Sequence, residues 1–222
     1  MLINESIREV FKTSLLHLLQ TKSTMKLITI ISFISLIFSS VLIDSKKELG
    51  AVVNKSESTV TWNAKKVSGE HYGKVQISDA MLDYQNGKIK GGSFELDMTT
   101  ITVEDITDAN SNARLTNHLK SDDFFSVEKF NKSSFKITEA KTSNGQDYQI
   151  TGDLKIKGIS NPVTFPAKLD VQGDQIIATA SIVFDRTKFD IKYRSGNYFE
   201  NLADKLIYDD VSLEVKLVAL NQ

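Results

Sequence analysis

The chain has 222 residues, with 27 Lys and Arg against 28 Asp and Glu and no cysteine. A near-neutral balance without a basic run or a basic-aromatic stripe argues against nucleic acid as a partner, because phosphate binding is driven by clustered Lys and Arg. The lack of cysteine excludes disulfides, thiolate catalysis, cysteine-type zinc sites and a lipid-modified cysteine.

The first segment reads as a targeting signal. Leu27 to Ile43 carries no charge, is rich in Ile, Leu and Phe, and follows Met25-Lys26, the order of a charged n-region and an apolar h-region. Residues 25–45 are therefore expected to be a signal peptide cleaved near Ser45. The rival is an uncleaved membrane anchor through 27–43, since no Ala-x-Ala precedes Ser45 and the run is just long enough to span a bilayer. Residues 1–24 are then an upstream extension or a mis-assigned start, and residues 46–222 form one exported domain, periplasmic or secreted.

From Glu57 to Lys65, Val60, Trp62 and Ala64 alternate with polar residues, the period of a strand with one wet face. Val75 and Ile77 continue the pattern, and Ala80, Leu82 and Tyr84 resume it one residue out of phase, which predicts a bulge. Asn86-Gly87 is a hairpin turn, followed by a strand from Lys88 to Thr99 with Phe94, Leu96 and Met98 on one face and a kink at Gly91-Gly92. Asp105 to Leu119 spaces Ile106, Ala109, Ala113 and Leu119 as one helical face, capped by Asp105 or Thr107. Asn117 to Phe125 then turns the chain. If Phe124 and Phe125 lie on a strand they point to opposite faces, one toward a core and one toward a second apolar surface.

Beyond it, Phe135 and Ile137 alternate with Ser134, Lys136 and Thr138, and Asn144-Gly145 makes the next hairpin. Tyr148, Ile150, Leu154 and Ile156 share a parity, Gly158 to Pro162 reads as a turn, and Val163, Phe165, Ala167, Leu169 and Val171 share the next. Pro166 marks that strand as an edge or a bulge, because proline offers no ladder N–H. Gly173-Asp174, an apolar run from Ile176 to Phe184 and the alternation from Val211 to Ala219 complete the chain. Many one-sided strands, short hairpins and a single helix predict an all-β protein, an antiparallel barrel of eight or nine strands. An interior of that size is either filled by side chains or holds one ligand.

Chemistry-bearing residues are few. His118 next to Asp122 and Asp123 could hold a metal or run acid–base chemistry in a hydrolase, yet helix ends and turns favour the same residue types. Arg186 and Arg194 either pair with carboxylates or meet the polar head of a ligand. No nucleophile elbow, P-loop or dinucleotide fingerprint is present, so neither metal nor cofactor is expected.

Three segments carry a resemblance: His118-Leu-Lys-Ser-Asp-Asp-Phe-Phe125, Ile150-Thr-Gly-Asp-Leu-Lys-Ile-Lys-Gly-Ile-Ser-Asn-Pro-Val163 and Ile182-Val-Phe-Asp-Arg-Thr-Lys-Phe189. In order and spacing they resemble the YceI-like family of lipid- or polyisoprenoid-binding proteins, across about Ser58 to Ala219. The resemblance implies an extended lipocalin-like barrel with a tunnel for a long isoprenoid chain, in exported bacterial proteins. Departures are Ser126 in place of an acidic residue, Phe130-Asn131 in place of Tyr-Pro, and Lys188-Phe189-Asp190 in place of Asp-Phe-Gly. The missing glycine bears on the shape of the pocket mouth.

The expected function is a carrier that holds a long apolar lipid such as a polyisoprenoid against Trp62, Phe94, Leu96, Met98, Phe124, Phe135, Ile156, Phe165 and Phe184. The rivals are the His118-based enzyme and a structural or interaction module with a filled core. N-terminal sequencing of protein taken from the cell envelope should find a start near Ser45; an intact chain in the cytoplasm would refute export.

Overall fold

In the computed structural model the described residues are 50–221, so the expected extension, signal peptide and anchor lie outside them. Nine strands follow in order: β1 (Ala51–Val53), β2 (Thr59–Lys66), β3 (Gly69–Gln85), β4 (Lys88–Asp97), β5 (Lys132–Thr142), β6 (Asp147–Ile156), β7 (Ile159–Gln172), β8 (Gln175–Asp185) and β9 (Ile207–Leu220), with helix α1 (Ala109–Lys120) between β4 and β5. Each strand from β2 to β9 pairs antiparallel with the next, and β2–β9 pairing closes an eight-stranded barrel. β1 fills the remaining gap between the far ends of β3 and β9, through Ala51 opposite Leu82 and Val52 opposite Leu220.

Tight turns set the register. Asn86-Gly87 and Lys157-Gly158 each hold two successive positive φ values, 52° and 74° in the first and 50° and 77° in the second. These are the angles that let a two-residue loop follow the twist of its strands. The chain therefore turns at Lys157-Gly158, and Ile159 to Pro162, expected as turn, is already strand because Ile156 and Ile159 are paired. The expected bulge lies between Ile77 and Asp79, and a second register shift opposite Asp83 and Tyr84 falls where the Gly91-Gly92 kink was expected.

One part of the wall is incomplete. The β7–β8 ladder runs only from Gln172–Gln175 to Ala167–Ala180. Below it, Ile159 to Pro166 pairs with β6 alone. Both prolines of the chain, Pro162 and Pro166, lie on this edge. A proline nitrogen turned toward β6 would break that ladder, so both face the unpaired side. Farther down, Asn161 Nδ2 donates to the Lys188 carbonyl at 3.0 Å and ties the edge to the segment after β8.

The hairpin end is closed by Tyr148, Ile89 and the fully buried Ile176, with the Tyr148 hydroxyl accepting from the Ile89 N–H at 3.2 Å. Helix α1, the turn after it and residues 186–206 cover the opposite end. Residues 101–105 run along β3 as a strap: the N–H groups of Thr102 and Glu104 donate to the carbonyls of Lys74 and Tyr72. The helix therefore begins at Ala109, with Asp108 Oδ1 accepting from the Ser111 N–H at 2.8 Å. Asp105, one of the expected caps, bonds instead to His71 Nδ1 at 2.7 Å. Ala109 and Ala113 are exposed, and α1 packs inward through Leu115 and Leu119.

Gly152 shows how closely the wall is built. A Cβ there would lie 2.4 Å from the Phe135 ring and 2.5 Å from the Lys136 carbonyl oxygen. Gly152→Ala should lower stability in urea unfolding by about 1–3 kcal/mol, the cost of overpacking.

Candidate ligand-binding cavity

Inward parity places apolar side chains around two cavities stacked along the barrel. The larger, about 110 Å³, occupies the hairpin half and is lined by Ile77, Leu82, Phe94, Phe135, Ile150, Phe165, Ile182 and their neighbours. The smaller, about 80 Å³, lies beneath α1 and is lined by Trp62, Met98, Leu119, Phe124, Phe125, Ile156, Phe184 and Ile191 among others. Leu96, Ser133, Leu154 and Leu213 line both cavities and form a waist between them.

All nine residues expected at a ligand surface border one cavity or the other. Phe94, Phe135 and Phe165 border the larger, Trp62, Met98, Phe124, Ile156 and Phe184 the smaller, and Leu96 both. Phe135 and Phe165 meet with ring centroids 5.4 Å apart. Trp62 is anchored from the far side, its indole Nε1 donating to the Thr102 carbonyl at 3.1 Å.

Phe124 and Phe125 do not divide two surfaces. They sit in a turn rather than a strand, and both border the smaller cavity. The turn is built by Ser121: its hydroxyl donates to the His118 carbonyl at 2.7 Å, and its own carbonyl accepts from the N–H groups of Phe124 and Ser126. The helix thus ends on Ser121, and Asp122 and Asp123 stay exposed on its outer side. Asp122 pairs with Lys129 at 2.8 Å, and the hydrogen bonds from Lys129 and Ser126 hold its carboxyl below the usual range.

His118 Nε2 lies 2.8 Å from Asp123 Oδ2, while its ring packs edge-on against Phe124 and Tyr193 at centroid distances of 5.0 and 4.8 Å. The histidine and one of its two expected partners do meet, on the outer side of the cover. Among the described residues no group of three or more His, Cys, Asp or Glu could hold a metal ion.

Arg186 borders the smaller cavity and is a structural lock, with four of its five donors engaged by backbone carbonyls. Nε donates to the Tyr208 carbonyl at 3.1 Å, Nη1 to those of Ile191 and Tyr193 at 2.8 and 3.0 Å, and Nη2 to that of Ile207 at 3.0 Å. Nη2 also lies 3.1 Å from Asp209 Oδ1, an ionic contact without hydrogen-bond geometry. Burial lowers the guanidinium pKa, and Asp209 and Asp185 oppose that shift. Arg194 is half-buried and borders neither cavity, its guanidinium 5.1 Å from the centre of the Tyr193 ring. Beside Arg186, Asp190 takes a left-handed conformation with φ of 59°, and its N–H bonds back to the carbonyls of Arg186 and Thr187. The backbone keeps a shape that glycine would reach more cheaply.

Sequence reasoning passed over Ser133, Ile182 and Leu213. Continuing the parity of Phe135 back by two residues points to Ser133, and the strands from Ile176 and Val211 carry the other two.

Residues 52–219 match the YceI-like domain family. The Escherichia coli relative named Protein YceI is 37% identical over 78 residues, which is 35% of this chain and 40% of that protein. A UPF0312 protein of Pseudomonas aeruginosa is 38% identical over 103 residues, 46% of this chain and 51% of the relative. The matches thus span about half or less of these relatives' length. Among solved structures, BcnA of Burkholderia cenocepacia superposes with a TM-score of 0.62 at 19% identity, covering 75% of this chain and 99% of that one. A polyisoprenoid binding domain from Saccharophagus degradans, implicated in plant cell wall breakdown, does so with a TM-score of 0.57 at 7% identity, covering 78% and 99%.

Arg186→Met should cost about 3–5 kcal/mol in urea unfolding, because four carbonyls lose their donor and the half-buried Asp209 loses its cation. Arg186→Lys should restore little of this, since an ammonium cannot reproduce the planar fork. Unchanged stability in both variants would remove the locking role.

Proposed function

The chain belongs to the YceI-like domain family, and from that premise we propose that its barrel is a binding protein for a long apolar lipid, a polyisoprenoid or a chain of similar girth. The observation that carries this reading is the pair of stacked apolar cavities meeting at one waist. Protein interiors are normally packed with few voids larger than a water molecule. Unfilled volume costs about 24 cal/mol per Å³, so cavities of this size cost about 2–3 kcal/mol each. That is a large part of a domain stability of about 5–15 kcal/mol, and a bound chain offsets it. The polyisoprenoid binding domain of similar fold supports the same class of ligand.

A long chain is larger than the two voids, so loading must swing lining side chains such as Phe165 and Met98 aside and open the waist. Burying ten methylene-sized units contributes about 8 kcal/mol before ordering costs. Selection then follows chain length and girth, because four of the five Arg186 donors already bond carbonyls, Asp209 neutralises its charge, and Arg194 borders neither cavity. The His118–Asp123 pair stands outside both linings, which favours binding over hydrolysis. The uncharged run before Ser45 supports a place outside the cytoplasm, in the periplasm or the medium, or held at a membrane by 27–43.

Mass spectrometry of organic extracts of the protein purified from its own host should find a co-purifying long-chain lipid. Phe165→Ala should retain less of it with a modest loss of stability. No lipid in the native preparation, together with a loss of about 3–5 kcal/mol in Phe165→Ala, would mark a filled core and overturn the carrier.

A further inference from the structure

The waist is made of three leucines and one serine. Ser133 stands opposite Leu96 in the β4–β5 register, is only 6% exposed, and borders both cavities. Among the described residues its hydroxyl has no side-chain hydrogen bond. The wholly enclosed side-chain atoms without a hydrogen bond are Glu95 Oε2 and Asp209 Oδ1, and each of those faces a cation, Lys132 and Arg186. The Ser133 hydroxyl has no such neighbour and is not sealed by protein; it faces the voids.

A spacer at this point needs no hydroxyl. Alanine would leave the waist as open and would avoid the desolvation of an unpaired O–H, about 1–3 kcal/mol by protein mutational data. Nor does the hydroxyl suit a charged group, because an ionised head in so apolar a space lacks compensation.

We propose that Ser133 is a ligand-selecting residue whose hydroxyl donates to one uncharged oxygen in the bound chain. Resting on the lipid-binding reading, this specifies the cargo further: an apolar chain carrying a ketone, ester or ether oxygen, with hydrocarbon on either side of it. One flank would lie in the larger cavity and the other in the smaller, and the oxygen would sit at the waist. Charged head groups would be rejected.

The test uses a matched pair delivered from detergent, a linear ketone with a central carbonyl and the alkane of equal length. Trp62, the chain's one tryptophan, borders the smaller cavity and reports binding by its fluorescence. The wild-type protein should bind the ketone about two- to tenfold more tightly than the alkane, the range of one net hydrogen bond. Ser133→Ala should bind both equally, with a ligand-free Tm unchanged or higher. Ser133→Thr, which keeps the hydroxyl, should restore the preference. Binding of both probes without preference, or a preference that survives Ser133→Ala, overturns the assignment and leaves the lipid carrier standing. Failure of the wild-type protein to bind either probe overturns the carrier, and this assignment with it.

Discussion

Closure of the ladder is the constraint from which the other features follow. In an eight-stranded antiparallel wall every side chain points either to solvent or to an interior about one ligand wide. Each choice on the inner parity therefore acts on a single shared space. Phenylalanines at 94, 135 and 165 narrow the hairpin half, while Ala167, Ala178 and Ala180 on β7 and β8 leave room beside them. A closed wall also confines charged groups to its ends and outer surface. The arginine inside is tolerated because it sits at the base, where carbonyls of the loop after β8 and of the first residues of β9 reach it.

The cover over that base is held by polar contacts rather than by the ladder. Asp105 receives His71 and the Tyr72 N–H, and although burial raises its pKa, those hydrogen bonds outweigh the effect and leave it lowered. A depressed folded-state pKa means that this contribution is present above the ordinary aspartate range and lost as the pH falls through the folded value. The strap is thus fastened more firmly at neutral than at acid pH. Lys120 adds a tie of its own, its ammonium donating to the Thr99 carbonyl at 2.7 Å.

How much of this the sequence discloses depends on the range of the contact. Two-residue periodicity is local, so it identified the inner faces and, apart from Phe124, the expected residues that border the cavities. Turn chemistry is local as well, and Asn86-Gly87 needed nothing beyond its own backbone angles. Arg186 was illegible for the opposite reason: its carbonyl partners lie 5, 7, 21 and 22 residues away, two in the loop after β8 and two at the start of β9, and no periodicity links them. The aromatic pair at 124 and 125 misled because alternation of faces holds only on a strand. The helix began later than its apolar spacing suggested, since backbone pairing with β3 had already claimed residues up to Glu104. At Asp190, where the resemblance led to an expected glycine, the backbone takes the left-handed conformation that glycine favours.

The gap in the β7–β8 ladder has a consequence for the molecule's behaviour among its own copies. An unpaired strand edge is a template on which another chain can add a strand, the first step of domain swapping and aggregation. From Ile159 to Pro166 this barrel exposes such an edge in its wall. The two prolines stand four residues apart on it, and an incoming strand would meet a missing donor at each. A protein of this design keeps a separable seam in its side while remaining a poor partner for its neighbours.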